Sequence, residues 1–135
     1  VSRRVGQIFI ENAIQNSNIE INGDGEDKLD FTYIDDLVEG ISSCCMNKKA
    51  INETFNLTYG NARKINELIK ILKKEFPNIT VSYRNKEKFM PERGTLKIDK
   101  AKALINFQSK NPIEIGYVKY IDWYKKFWEE NKLQS

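Results

Sequence analysis

The chain has 135 residues, 40% of them hydrophobic and 11% aromatic, which is enough apolar material for a folded domain and too much for a disordered segment. Its 22 basic and 19 acidic residues leave a net charge of +3, spread among mixed charges rather than clustered, which excludes an ordinary nucleic-acid module. No apolar run approaches the roughly 18 residues of a membrane span. Gln7, Glu11, Asn12 and Gln15 interrupt the apolar residues after Arg3 and Arg4, so no signal peptide is expected.

Val5, Ile8, Phe9 and Ala13 fall at helical spacing and predict a helix over 4–16. Residues 19–22 alternate Ile-Glu-Ile-Asn and read as a short extended segment. Gly23 and Gly25 supply the positive φ of a tight turn, and Phe31, Tyr33 and Ile34 are good strand formers. Asp35 or Asp36 is placed to cap a helix over about 36–47, whose apolar face is Leu37, Val38, Ile41, Cys44 and Cys45. Residues 54–58 predict a strand and 59–61 a turn. A helix over about 64–76 carries the stripe Ile65, Leu68, Ile69, Leu72 and Phe76; Glu67 is the acidic half of a capping box, but Lys64 stands where Ser or Thr belongs. Next come a strand over 79–83 and an irregular charged stretch over 84–97, with its turn at Met90-Pro91-Glu92-Arg93-Gly94. Asp99 is expected to cap a short helix with Ala101, Leu104 and Ile105. The last helix, about 113–131, shows the face Tyr117, Tyr120, Ile121, Tyr124, Phe127 and Trp128. Helices alternating with short strands give an α/β class, α+β-like for this chain by itself, organised as a single domain over 1–135.

The two cysteines, Cys44 and Cys45, are adjacent. Helical neighbours point about 100° apart, so they are read as small buried apolar residues of a reducing, cytoplasmic compartment and not as a disulfide. There is no histidine, which removes the commonest general base and metal ligand; no metal site is expected.

Gly-Asp-Gly, four residues, then Asp30-Phe31-Thr32-Tyr33-Ile34-Asp35-Asp36-Leu37 resembles the signature in the C-terminal half of extended short-chain dehydrogenase/reductases. These are the NAD-dependent nucleotide-sugar epimerases and dehydratases. Further pieces agree in order: the helix before the turn, Thr54-Phe55-Asn56-Leu57, Lys64-Ile65-Asn66-Glu67-Leu68, and Asp99-Lys100-Ala101-Lys102 through Phe107 with Ile115-Gly116 and Trp123-Tyr124. The resemblance covers nearly the whole chain and implies the C-terminal half of a Rossmann-type epimerase. Two family features are absent from the sequence. No Gly-rich loop prepares a helix N-terminus for a pyrophosphate. No tyrosine has a lysine four residues on, so the proton-transferring Tyr-x-x-x-Lys pair is missing.

The resemblance implies a role for particular residues. In the family this half holds the nucleotide diphosphate of a UDP- or dTDP-linked sugar. Glu20 and Asn22 lie in the segment that touches base and ribose. Leu29 stands where the family has a phosphate-gripping basic residue and cannot hold an anion; Lys28 alternates to the other face. Arg93, beside Pro91 and Gly94, is read as the compensating anion ligand, with a surface salt bridge as the competing reading, and Asn56 matches a family asparagine near the substrate, with a loop-pinning hydrogen bond as the competing reading. Arg84, Lys86 and Lys88 are read as a solvated loop. The expectation is thus a nucleotide-sugar-binding portion with NAD and catalysis in the parent enzyme, no NAD bound by this chain alone, and a homo-oligomer formed through exposed apolar faces. The alternative is a non-catalytic binding or oligomerisation module.

Overall fold

A computed structural model describes residues 4–86, 88 and 91–132. It contains α1 (Val5–Ile14), β1 (Ile19–Asn22), β2 (Lys28–Leu29), α2 (Ile34–Met46), β3 (Arg63–Lys64), α3 (Ile65–Glu75), β4 (Val81–Arg84), α4 (Asp99–Ile105) and α5 (Ile113–Lys132), with a 3-10 turn at Lys48–Ala50. The class is α/β, as the alternation predicts. The chain divides into two compact units. One takes in the chain up to Asp27, Lys64–Pro91 and the chain from Tyr117 onward; the other takes in Lys28–Arg63 and Glu92–Gly116.

The first unit is built on a parallel pair, β1 with β4, in the register Ile19↔Val81 to Asn22↔Arg84. The alternation of β1 turns Ile19 and Ile21 into the core, both fully buried, and leaves Glu20 in solvent. The core continues through Phe9, Ile10 and Ala13 of α1, Leu68, Ile69 and Leu72 of α3, and Tyr117, Ile121 and Tyr124 of α5. These are the helical stripes expected from spacing, with two shifts: Ile8 is exposed while Ile10 is buried, and Phe127 is exposed and stacks on Trp123 at 5.2 Å instead of entering the core. Glu11 is the buried charge of this unit, and Tyr124 donates its hydroxyl to the Glu11 carboxylate, satisfying it away from water.

The second unit packs α4 against α2 and the 3-10 turn. Its core is Ala101, Ile105 and Phe107, with Cys44, Ala50, Phe55, Leu57 and Leu104 around them. Gly40 permits the close approach of α2: a Cβ there would meet the Phe107 ring at 2.8 Å. Asn106 ends α4 in the left-handed conformation, φ 54°, a position that Asn tolerates better than other non-glycine residues.

Several local expectations give way. Residues 54–58 are extended but form no strand: Phe55 and Leu57 are held by side-chain packing and Asn56 by a side-chain hydrogen bond, without a ladder partner. The strand expected through Phe31, Tyr33 and Ile34 is only β2, because α2 starts already at Ile34. Tyr33 is the N-cap of α2 and Ile98 that of α4, so Asp35, Asp36 and Asp99 lie inside the first turns, where their charge still favours the helix dipole. At α3 the Lys64 N–H donates to Glu67 Oε2 at 2.8 Å, the acidic half of a capping box working without its hydroxyl partner. Strand β4 starts at Val81, later than the expected strand over 79–83. Both cysteines are free; Cys44 is half-buried, but Cys45 is exposed. Met90, in the expected turn, lies outside the described residues.

Candidate functional site

In the first unit the turn after β1 is organised by Asn66. Gly23 and Gly25 both have positive φ, 87° and 78°. Asn66 donates through Nδ2 to the Asp24 carbonyl and to Glu26 Oε1, both at 3.0 Å, and accepts from the Tyr83 hydroxyl at 3.0 Å. Gly25 is obligatory here: a Cβ would lie 2.2 Å from Asn66 Oδ1. The Glu26 carboxyl sits below its ordinary pKa, first through the hydrogen bond from Lys64 and then through that from Asn66. Gly23, Asp24, Glu26, Asp27 and residues 83–86 line an open hollow of about 530 Å³. Its cations are engaged: Arg84 with Glu20 at 3.3 Å, Lys86 with Asp27. Glu20, expected to offer polar contacts, is therefore committed to a surface ion pair, and half-buried Asn22 ends β1 at the rim of the turn.

In the second unit the carboxylate that ends β2 gathers three segments. Asp30 accepts from the Thr58 hydroxyl at 3.0 Å, from the Gly60 N–H at 3.1 Å and from the Leu96 N–H at 3.1 Å. Two more bonds tie the segment 92–98 alongside: Ala62 N–H to Thr95 Oγ1 at 2.9 Å, and Asn56 Nδ2 to the Lys97 carbonyl at 3.0 Å. Asn56 thus does the loop-pinning job, from an exposed position. Arg93 stands on this tied segment, exposed, with no hydrogen-bond or ionic partner among the described residues. Leu29, half-buried in β2, brings no charge. Arg63 is occupied, with Nε on Glu114 Oε1 at 3.0 Å and its guanidinium 5.9 Å from the Tyr59 ring centre.

The structure thus joins Arg93, Asn56 and Leu29 in one unit, and Glu20 and Asn22 in the other. Sequence reasoning overlooked Asp30. Its signal was present in the spacing: an acidic residue ending a strand, and Thr58 and Gly60 two apart in a turn that must find acceptors for its donors.

A pyrophosphate is favoured by a helix N-terminus with free N–H groups and no competing carboxylate. Asp35 and Asp36 open α2, Glu67 opens α3, Asp99 opens α4 and Glu114 opens α5, whereas α1 follows Arg4 and has no acidic residue in its first turn. No group of three or more His, Cys, Asp or Glu among the described residues could hold a metal ion, and no helix there is long and apolar enough to cross a membrane.

The NAD dependent epimerase/dehydratase family profile matches residues 2–58, from α1 to the end of the extended segment. Over these residues the chain is similar to this family. Family relatives extend the match. A UDP-glucuronate 4-epimerase from Thermodesulfobacterium geofontis is 33% identical over 120 residues, 87% of this chain and 36% of the relative. An epimerase from Methanothermobacter thermautotrophicus superposes with TM-score 0.88 at 27% identity, over 94% of this chain and 38% of its own. A UDP-glucuronic acid 4-epimerase from Bacillus cereus, solved with UDP-glucuronic acid and NAD, superposes with TM-score 0.84 at 25% identity, over 92% and 40%. The chain therefore spans little more than a third of the length of these family members.

Proposed function

We propose that this chain is the nucleotide-sugar-binding portion of an NAD-dependent epimerase/dehydratase, and that it turns nothing over alone. The observation that supports this best is Arg93: an exposed side chain without a partner among the described residues, on a segment tied down at both Leu96 and Thr95. A guanidinium presents a planar fork of donors that matches phosphate oxygens. With Leu29 unable to grip an anion, Arg93 takes the diphosphate of a UDP- or dTDP-linked sugar. NAD and the Tyr-x-x-x-Lys pair belong to sequence that this chain does not contain. The exposed apolar face of α2, with Val38 56% and Ile41 49% exposed, is then the surface that the NAD-binding part covers. That same face supports a second reading, a module that associates with copies of itself.

Titration of the chain with UDP-glucose, UDP-glucuronic acid and NAD, monitored by amide NMR shifts, tests the first reading. The expected result is shifts at 92–98 with the UDP-sugars, none with NAD, and loss of the UDP response in Arg93→Ala. Absence of any UDP-sugar response, or saturable NAD binding, overturns it. A stable dimer by light scattering with no nucleotide response favours the second.

A further inference from the structure

Asp30 lies close in sequence to no part of the segment it holds, yet it fixes that segment. It is half-buried, its carboxylate is an acceptor only, and every donor that reaches it fixes a different piece of chain. Oδ2 serves the Thr58 hydroxyl and the Leu96 N–H; Oδ1 serves the Gly60 N–H. Leu96 lies on the same segment as Arg93. Gly60 is fixed in turn: its φ is +77°, and a Cβ there would stand 2.6 Å from Ile98 Cδ1. Asp30 therefore joins the end of β2 to the Thr58–Gly60 turn and to the stretch that follows Arg93.

We propose that Asp30 is a positioning residue: its carboxylate sets the 92–98 segment so that the Arg93 guanidinium meets a diphosphate. This rests on the reading of Arg93 as the anion ligand. Charge is not what Asp30 contributes, since a carboxylate near a phosphate repels it; its contribution is geometric. An arginine on a loose segment must be ordered on binding, and ordering side chain and loop together opposes binding. A pre-set segment lowers that cost.

Asn cannot replace Asp30. With the amide nitrogen in the Oδ1 position it faces the Gly60 N–H; in the Oδ2 position it faces the Leu96 N–H. Either way one backbone donor meets a donor. Thr58 adapts, because a hydroxyl both donates and accepts.

The test compares Asp30→Asn, Thr58→Val, Arg93→Ala and the Asp30→Asn/Arg93→Ala pair for affinity to UDP and to uridine, which lacks the phosphates. The expected result is a fall of about tenfold in UDP affinity for Asp30→Asn, worth about 1.4 kcal/mol, with uridine affinity unchanged. Thr58→Val moves the same way by less. In the Arg93→Ala background Asp30→Asn costs nothing further, because the two act through one contact. Equal weakening of UDP and uridine makes Asp30 merely structural and overturns the inference. Full UDP affinity in Asp30→Asn with loss in Arg93→Ala overturns it while sparing the reading of Arg93. Full affinity in both removes that reading as well. Should Asp30→Asn fail to fold, Thr58→Val decides by the same UDP-against-uridine comparison.

Discussion

Asp36 is 2% exposed and accepts from Ser109 Oγ at 2.6 Å, Lys110 N–H at 3.1 Å, Asn111 N–H at 2.9 Å and Asn111 Nδ2 at 2.8 Å. Burial pushes the carboxyl pKa up, but the bonds from Ser109, Asn111 and Lys110 together hold it below its ordinary value. Its contribution to stability is complete above the unfolded carboxyl pKa of about 3.9 and is lost as pH falls through the lower folded value. Asp36→Ala leaves those donors without their acceptor and is expected to cost about 2–4 kcal/mol at neutral pH, read by urea unfolding. The deficit should shrink as pH falls below about 4, where the parent chain loses the same interaction. A constant deficit across that range would show that packing, not the ionised carboxylate, is what Asp36 supplies. Gly25 makes the corresponding case in the first unit. Gly25→Ala places a Cβ 2.2 Å from Asn66 Oδ1 at a φ of +78°. Left-handed strain of about 1–2 kcal/mol adds to the displaced Asn66 bonds, so a total loss of about 2–4 kcal/mol is expected in the same measurement.

At the scale of elements, α2 carries two stripes. Leu37, Gly40 and Cys44 turn inward, and Gly40 lets the Phe107 ring against the helix backbone. Ile34, Val38, Ile41 and Cys45 recur at helical spacing on the outside, with Ile34 59% exposed. Periodicity alone merges both into one apolar face, which is why it places Val38 with Leu37 and buries both cysteines. The same limit explains residues 54–58. Phe55 and Leu57 alternate as a strand does, but a strand also needs a neighbour for its backbone groups, and neighbours are not legible from a local pattern. Where the determinant was local, the sequence sufficed: the α3 stripe, the positive-φ glycines of the turn and the alternation of β1. The anchoring role of Asp36 was hidden because its donors, Ser109 to Asn111, come from a distant part of the chain. For α2, Val38→Lys is expected to leave the chain's own stability within about 0.5 kcal/mol, as a change at an exposed site does. It should abolish association with a co-expressed NAD-binding part of the family, read by co-purification. Association that survives this substitution would move the docking surface away from α2.

Across the whole molecule the net charge of +3 is a thin excess, and much of the cationic surface is already answered. Lys64 pairs with Glu26, Arg84 with Glu20, Lys86 with Asp27, Lys100 with Glu53, Lys110 with Glu39 and Lys125 with Glu75. Such exposed pairs contribute about 0–1 kcal/mol each to folding, but they flatten the field that a diphosphate meets at a distance. On the proposed reading, attraction is local to Arg93 and not the work of a broad basic surface. The salt response distinguishes these. A field from many cations falls steeply with ionic strength, whereas one solvent-facing contact is screened modestly, over a Debye length of about 10 Å at 0.1 M. UDP binding is therefore expected to weaken only a few-fold between about 0.05 and 0.5 M salt, and to lose that dependence in Arg93→Ala. Lys100→Ala and Lys110→Ala should leave it unchanged, since both lysines are held by glutamates. Calorimetric titrations at the two salt concentrations read the slope directly. A steep slope that persists without Arg93 would place the diphosphate on other cations of the chain.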